Sequence, residues 1–177
     1  MAKHRVFVLL DPDFEDDQEE IEEFFNRFGD AADFVRVPGD HFADDATNAD
    51  IRAAMDGATI TLVLNGRCTH SKRDVDWGVR ASLEPDETGL PNGLLVCLID
   101  RSAQKFDLGP ALKANVDSGY ARFYRLPLSV EELSGWLDDA AAARKERTDQ
   151  VDRSGERLTG DAECSPTWSP FLDQPRR

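Results

Sequence analysis

The sequence predicts an α/β fold: an open parallel sheet covered by helices on both faces. Two observations predict it. Arg5–Leu10, Ile60–Leu64 and Gly93–Ile99 are apolar runs rich in valine, leucine and isoleucine, as strands buried on both faces read. Between the strand-like segments lie segments of helical periodicity, so strands and helices alternate, about five of each. The economical arrangement is the flavodoxin-like order 2-1-3-4-5, a three-layer sandwich. Its ligand space lies at the C-terminal ends of the first and third strands.

Taken in order, Arg5–Leu10 is the first and a central strand, and Asp11-Pro12-Asp13-Phe14 turns the chain. Glu15–Phe28 is a helix with Ile21, Phe24, Phe25 and Phe28 as its apolar stripe, and acids gathered where the dipole favours them. Asp33–Val37 is a short edge strand. Pro38–Ala46 is a loop, and Thr47 caps a helix over Asn48–Met55.

The central unit is Thr59–Leu83. Its strand ends at Gly66, and a polar loop, Arg67–Arg73, follows. Asp74 then caps a helix whose Val75, Val79 and Leu83 fall four apart on one face. Gly78 sits inside that helix, where glycine costs about 1 kcal/mol relative to alanine.

Glu84–Asn92 is a turn-rich connection, and Gly93–Ile99 is the next strand. Residues 100–118 are mostly loop with a helical turn after Pro110, and Tyr120–Tyr124 is the last strand. Ser129 and Glu132 form a capping box for a final helix that buries Leu133, Trp136, Leu137 and Ala140. This gives a domain over residues 1–143. Residues 144–177 are a polar tail without apolar period, disordered or loosely docked, with Trp168 and Phe171 its only large aromatics.

The net charge is −14, and 23 of the 35 acids are aspartates. Residues 144–177 hold seven basic and seven acidic residues, so residues 1–143 carry the whole charge. Such a body repels phosphate backbones, which argues against a nucleic-acid partner. No apolar stretch reaches membrane-spanning length and none reads as a signal peptide. Cys68, Cys97 and Cys164 are odd in number and widely spaced, so neither a disulfide framework nor a zinc site is expected, and a cytoplasmic location is.

The strand ends supply the candidate site. Arg67, Ser71, Lys72 and Arg73 are the only clustered positive charge on the acidic body; they could hold a pyrophosphate or be solvated loop residues. Asp11 and Asp13 could bind a metal or ribose hydroxyls, although Asp-Pro-Asp is turn chemistry first. Trp77 could stack on a base or pack on a neighbour. Cys68 is either reactive beside Arg67 or a structural thiol. His41 and His70 read as exposed loop residues.

The sequence resembles the TIR-like family of prokaryotes that includes the TIR proteins of the Thoeris anti-phage system. Thr59–Thr69, Val75–Leu83 and Gly93-Leu94-Leu95 carry the match, followed by Asn115-Val116, Gly119-Tyr120-Ala121, Leu126-Pro127 and Glu132–Trp136. The resemblance implies a TIR-like fold and NAD as substrate or ligand, with no resident cofactor or metal. It also implies cleavage of the nicotinamide–ribose bond, giving ADP-ribose or a cyclic signalling nucleotide. That chemistry uses a carboxylate to stabilise an oxocarbenium-like transition state.

In the family the carboxylate is the glutamate directly after the tryptophan of the Val-Asp-Trp motif; here that position is Gly78. The family's Ser-Tyr and histidines after the first strand are replaced by Leu9–Asp13. Asp74 and Asp76 are the substitutes within reach along the chain, but Asp76 lies about 200° around the helix from Gly78. The resulting expectation is a degenerate TIR-like module in defence or signalling, binding a nucleotide or a partner. The partner would be a second copy or another TIR-pathway protein, and the acidic face of the first helix is a candidate docking surface. The alternative is an active NAD hydrolase or cyclase. A receiver domain would need a phosphoacceptor aspartate where this chain has Asn65.

Overall fold

The structure, a computed structural model, describes residues 3–11, 15–36, 47–99 and 106–164. Asp13, the 38–46 loop with His41, residues 100–105, Trp168 and Phe171 lie outside the described residues.

Five strands, β1 (Arg5–Leu9), β2 (Asp33–Arg36), β3 (Ile60–Asn65), β4 (Gly93–Leu98) and β5 (Arg122–Arg125), form one parallel sheet in the order β2-β1-β3-β4-β5. This is the expected 2-1-3-4-5 arrangement. Five helices accompany it: α1 (Glu15–Phe28), α2 (Asn48–Ala54), α3 (Arg73–Leu83), α4 (Pro110–Asp117) and α5 (Val130–Glu146).

Strand alternation sorts the side chains into two cores. Val6 and Val8 of β1, Ile60, Leu62 and Leu64 of β3, and Leu95 and Cys97 of β4 face Phe24 and Phe28 of α1 and Leu133 and Leu137 of α5. Phe7, Leu9, Val63, Leu94 and Val96 face the opposite way, toward Ile51 of α2, Val75 and Val79 of α3, and Leu112 of α4. Cys97 is fully buried, and burial pushes its thiol up to about 12.

The helix caps show where local sequence decides. Thr47 caps α2 with the reciprocal capping box through Asp50. Ser129 accepts from the Glu132 N–H as expected, but the Glu132 carboxylate bonds the N–H of Leu128 rather than closing the box on Ser129. The expected cap Asp74 is not one: α3 begins at Arg73, with Lys72 as an N-cap whose side chain makes no cap bond. The Arg73 N–H is taken instead by the Asp161 carboxylate, 3.0 Å away and 88 residues later.

The chain beyond Ala143 departs most from expectation. Instead of ending there, α5 runs on to Glu146, and Arg144 is 7% exposed. The Arg144 guanidinium donates to the Pro91 carbonyl at 2.9 Å and to Asp86 and Thr88. Residues 147–164 lie against the domain. They run across the α4 and α3 face as a strap. Asn115 Oδ1 accepts from the Asp152 N–H at 3.0 Å, and the Ala162 N–H donates to the Ser71 carbonyl at 2.8 Å.

Candidate functional site

The β3–α3 loop is held by short-range chemistry. Gly66 is required by close approach: a Cβ there would lie 2.7 Å from one carboxylate oxygen of Asp17 and closer to the other. The same carboxylate accepts the Arg67 N–H at 3.0 Å. Thr69 Oγ1 accepts the Gly66 N–H at 2.9 Å, and the Ser71 hydroxyl donates to the Cys68 carbonyl at 2.8 Å. Asp17 is 3% exposed, so this acid of α1 is a loop clamp and not a member of the solvated face. Its neighbours Glu19 and Glu22 are exposed, as that acidic face predicts.

Those of the residues expected to bind a nucleotide that are described are engaged within the protein itself. Asp11 is 2% exposed, with the Lys72 ammonium 3.8 Å from its carboxylate. Lys72 also faces Asp161 at 3.5 Å. Ser71 is buried and its hydroxyl is committed to Cys68. Arg67 is half-buried. The Arg73 guanidinium pairs with Asp74 at 3.0 Å and lies 4.7 Å from the centroid of the Trp77 ring, against which Arg157 also sits, at 4.6 Å. The Trp77 indole N–H donates to the Leu158 carbonyl at 2.9 Å. Trp77 thus packs against Arg73, Arg157 and Leu158.

Neither substitute carboxylate points at Gly78. Asp76 is 3% exposed and faces α4 and the strap. It accepts from Arg80 Nε at 2.7 Å, the Leu158 N–H at 3.2 Å and the Ala111 N–H at 3.3 Å. Asp74 is held by Arg73.

Gly78 itself overturns one expectation. One residue before Val79, position 78 lies at the edge of the buried stripe, and the resemblance implies that this edge faces an open cleft. The position is buried, and a Cβ there would fall 2.8 Å from Leu9 Cδ1, closer still to Cδ2, and 3.2 Å from Cγ. Leu9, at the end of β1, fills the space beside Gly78. Leu9 and Gly78, two positions at which the chain departs from the family pattern, therefore touch each other.

Two further expectations are corrected. Cys68 and Cys164 form a disulfide across 96 residues. Their spacing gives no sign of it, because the polar segment that carries Cys164 reads as disordered or loosely docked. His70 is half-buried rather than exposed, and its Nδ1 is buried without a hydrogen-bond partner, as is Oδ1 of Asn65 at the end of β3. Among the described residues no cluster of metal-ligating side chains occurs.

The fold and the strand-end site define a TIR-like, flavodoxin-like α/β domain. Residues 13–104, more than half of the chain, match the family model described as the TIR-like domain of Thoeris protein ThsB. The chain belongs to this family, and is thereby a TIR-like protein of the prokaryotic defence type. No curated protein matches it. Among the described residues no helix is long and apolar enough to cross a membrane.

Proposed function

We propose that this protein is a degenerate TIR-like module that binds a nucleotide or a partner protein in prokaryotic defence or signalling, and that has lost or greatly weakened NAD cleavage. The observation that carries the reading is the contact between Leu9 and Gly78. Where the resemblance implies a carboxylate beside the ribose, this chain has a leucine side chain packed on a glycine. Removing a preorganised group that offsets developing charge costs on the order of 10²–10³ in rate. Asp76 offers no replacement, because its oxygens are occupied by Arg80, Leu158 and Ala111.

The sheet, both cores and the loop clamp are intact, which is what a retained binding role requires. The strand-end cations Lys72 and Arg73 are the groups that would meet a pyrophosphate, and a second copy or another protein of the pathway is the macromolecular partner class. A cytoplasmic setting fits a TIR-like protein of the defence type. The test is calorimetric titration of the protein with NAD, followed by chromatography of the recovered ligand. Binding with NAD recovered intact is the expected result. Stoichiometric conversion to nicotinamide and ADP-ribose, or to a cyclic product, would establish the enzyme instead, with Asp74 and Asp76 the first residues to test.

A further inference from the structure

We propose that the Cys68–Cys164 disulfide is a redox latch. Oxidised, it holds the strap closed over the β3–α3 loop and the start of α3; reduced, it lets the strap leave and uncovers that face for a phosphate-bearing ligand. The inference rests on the reading of the strand ends as a binding face, and adds its regulation.

The last stretch of the strap, residues 158–164, has little apolar hold of its own. Of residues 158–164 only Leu158 and Cys164 are even partly buried. The remaining ties are polar: Leu158 to Asp76 and Trp77, Ala162 to Ser71, and Asp161 to Arg73 and Lys72. These five ties are set against the conformational cost of ordering seven residues. The covalent closure of a long loop is therefore what decides whether the segment stays down.

What the strap occupies is specific. Asp161 takes the first N–H of α3 and sits 3.5 Å from the Lys72 ammonium, which also faces the buried Asp11. A helix N–H and an adjacent ammonium are the groups an anionic ligand oxygen would use, and Asp161 places a carboxylate there from within the chain. The latch closes over the same loop, since Cys68 lies between Arg67 and Thr69.

The exchange is chemically balanced with a dithiol as reductant. Cys68 is 8% exposed and Cys164 is the more exposed residue. A thiolate of the dithiol attacks Cys164 Sγ; the disulfide bond breaks, and Cys68 Sγ departs as a thiolate and takes a proton. The second thiol of the reductant then closes on the mixed disulfide and frees Cys164. Two electrons and two protons pass to the protein, and the dithiol becomes a cyclic disulfide.

The experiment compares full-length oxidised protein, the same protein in dithiothreitol, and Cys164→Ser. Hydrogen exchange over residues 158–164 is read by mass spectrometry, and ADP-ribose binding by calorimetry. On reduction, exchange over 158–164 should rise about tenfold or more while β3 and β4 stay protected, and Cys164→Ser should show the same without reductant. Unchanged exchange on reduction, or air-oxidised protein with three free thiols, overturns the latch. Tighter ADP-ribose binding by the reduced protein and by Cys164→Ser supports the latch and the binding reading together. Strap opening without any ADP-ribose binding supports the latch and removes the nucleotide reading alone.

Discussion

Leu9 at the end of β1 packs directly on Gly78 of α3, so closely that position 78 has no room for a Cβ while Leu9 keeps its rotamer. Two opposing effects then act on Gly78→Ala. Helix propensity favours it by about 1 kcal/mol, while forcing a methyl against a buried leucine costs about 1–3 kcal/mol. The substitution should therefore destabilise the wild type, by about 1 kcal/mol. In a Leu9→Ala background, which alone costs about 2–5 kcal/mol, the same change should stabilise. Urea denaturation of the four proteins checks this sign reversal; additive effects would mean the two side chains do not share the space. Gly78→Glu, which an open cleft would tolerate, should be destabilising for the same reason.

Asp76 is expected to act through the fold rather than through chemistry. Asp76→Ala removes the carboxylate partner of the half-buried Arg80 and leaves the Leu158 and Ala111 N–H groups without that acceptor. The loss should be about 2–4 kcal/mol. Hydrogen exchange at Leu158 should rise in the same variant. A loss below about 0.5 kcal/mol, in the range of ordinary surface changes, would show that Asp76 does not anchor the strap.

Truncation separates the parts of the tail. A chain ending at Ala143 lacks Arg144, whose guanidinium ties α5 to Pro91, Asp86 and Thr88. It should be unstable or insoluble. A chain ending at Cys164 keeps Arg144, the strap and the disulfide, and should melt within a few degrees of the full-length protein. Equal melting temperatures for the two truncations would contradict the role given to Arg144.

Asp86 gives a pH dependence with a definite sign. Burial pushes its carboxyl up, but hydrogen bonds from the Thr88 hydroxyl and N–H and the Leu90 N–H, with the Arg144 charge, outweigh it and hold it below the ordinary value. A depressed folded value means stability that is fully present above the unfolded pKa, about 3.9, and lost as pH falls through the folded one. Asp86→Asn should therefore be less stable than wild type from neutral pH down to about 4, with the gap closing in stronger acid. A gap that widens on acidification would reverse the assignment.

The sheet was legible because its signals are local and redundant. Apolar runs marked β1, β3 and β4, the Ile21, Phe24 and Phe28 spacing marked α1, and the oxygens of Thr47 and Ser129 marked two helix starts. How the side chains at the strand ends engage one another was not legible. Asp17, Asp74 and Asp161 are three aspartates in polar stretches, and which one clamps a loop, pairs with an arginine or caps a helix depends on tertiary approach. The strap was hidden because backbone groups and arginines hold it, which leaves no hydrophobic period to read. Gly78 was recognised as out of place in a helix. Its reason lies 69 residues earlier, in the bulk of Leu9.

The central claim, that the Leu9–Gly78 contact replaces a catalytic carboxylate, is tested most directly by nicotinamide release from NAD. The measurement is made on clean full-length protein in reductant, so that a closed strap does not mask activity. The account predicts turnover below about 0.1 s⁻¹, on the order of 10² beneath a typical enzyme. Turnover above about 0.1 s⁻¹, abolished by substitution of Asp74 or Asp76, would contradict it.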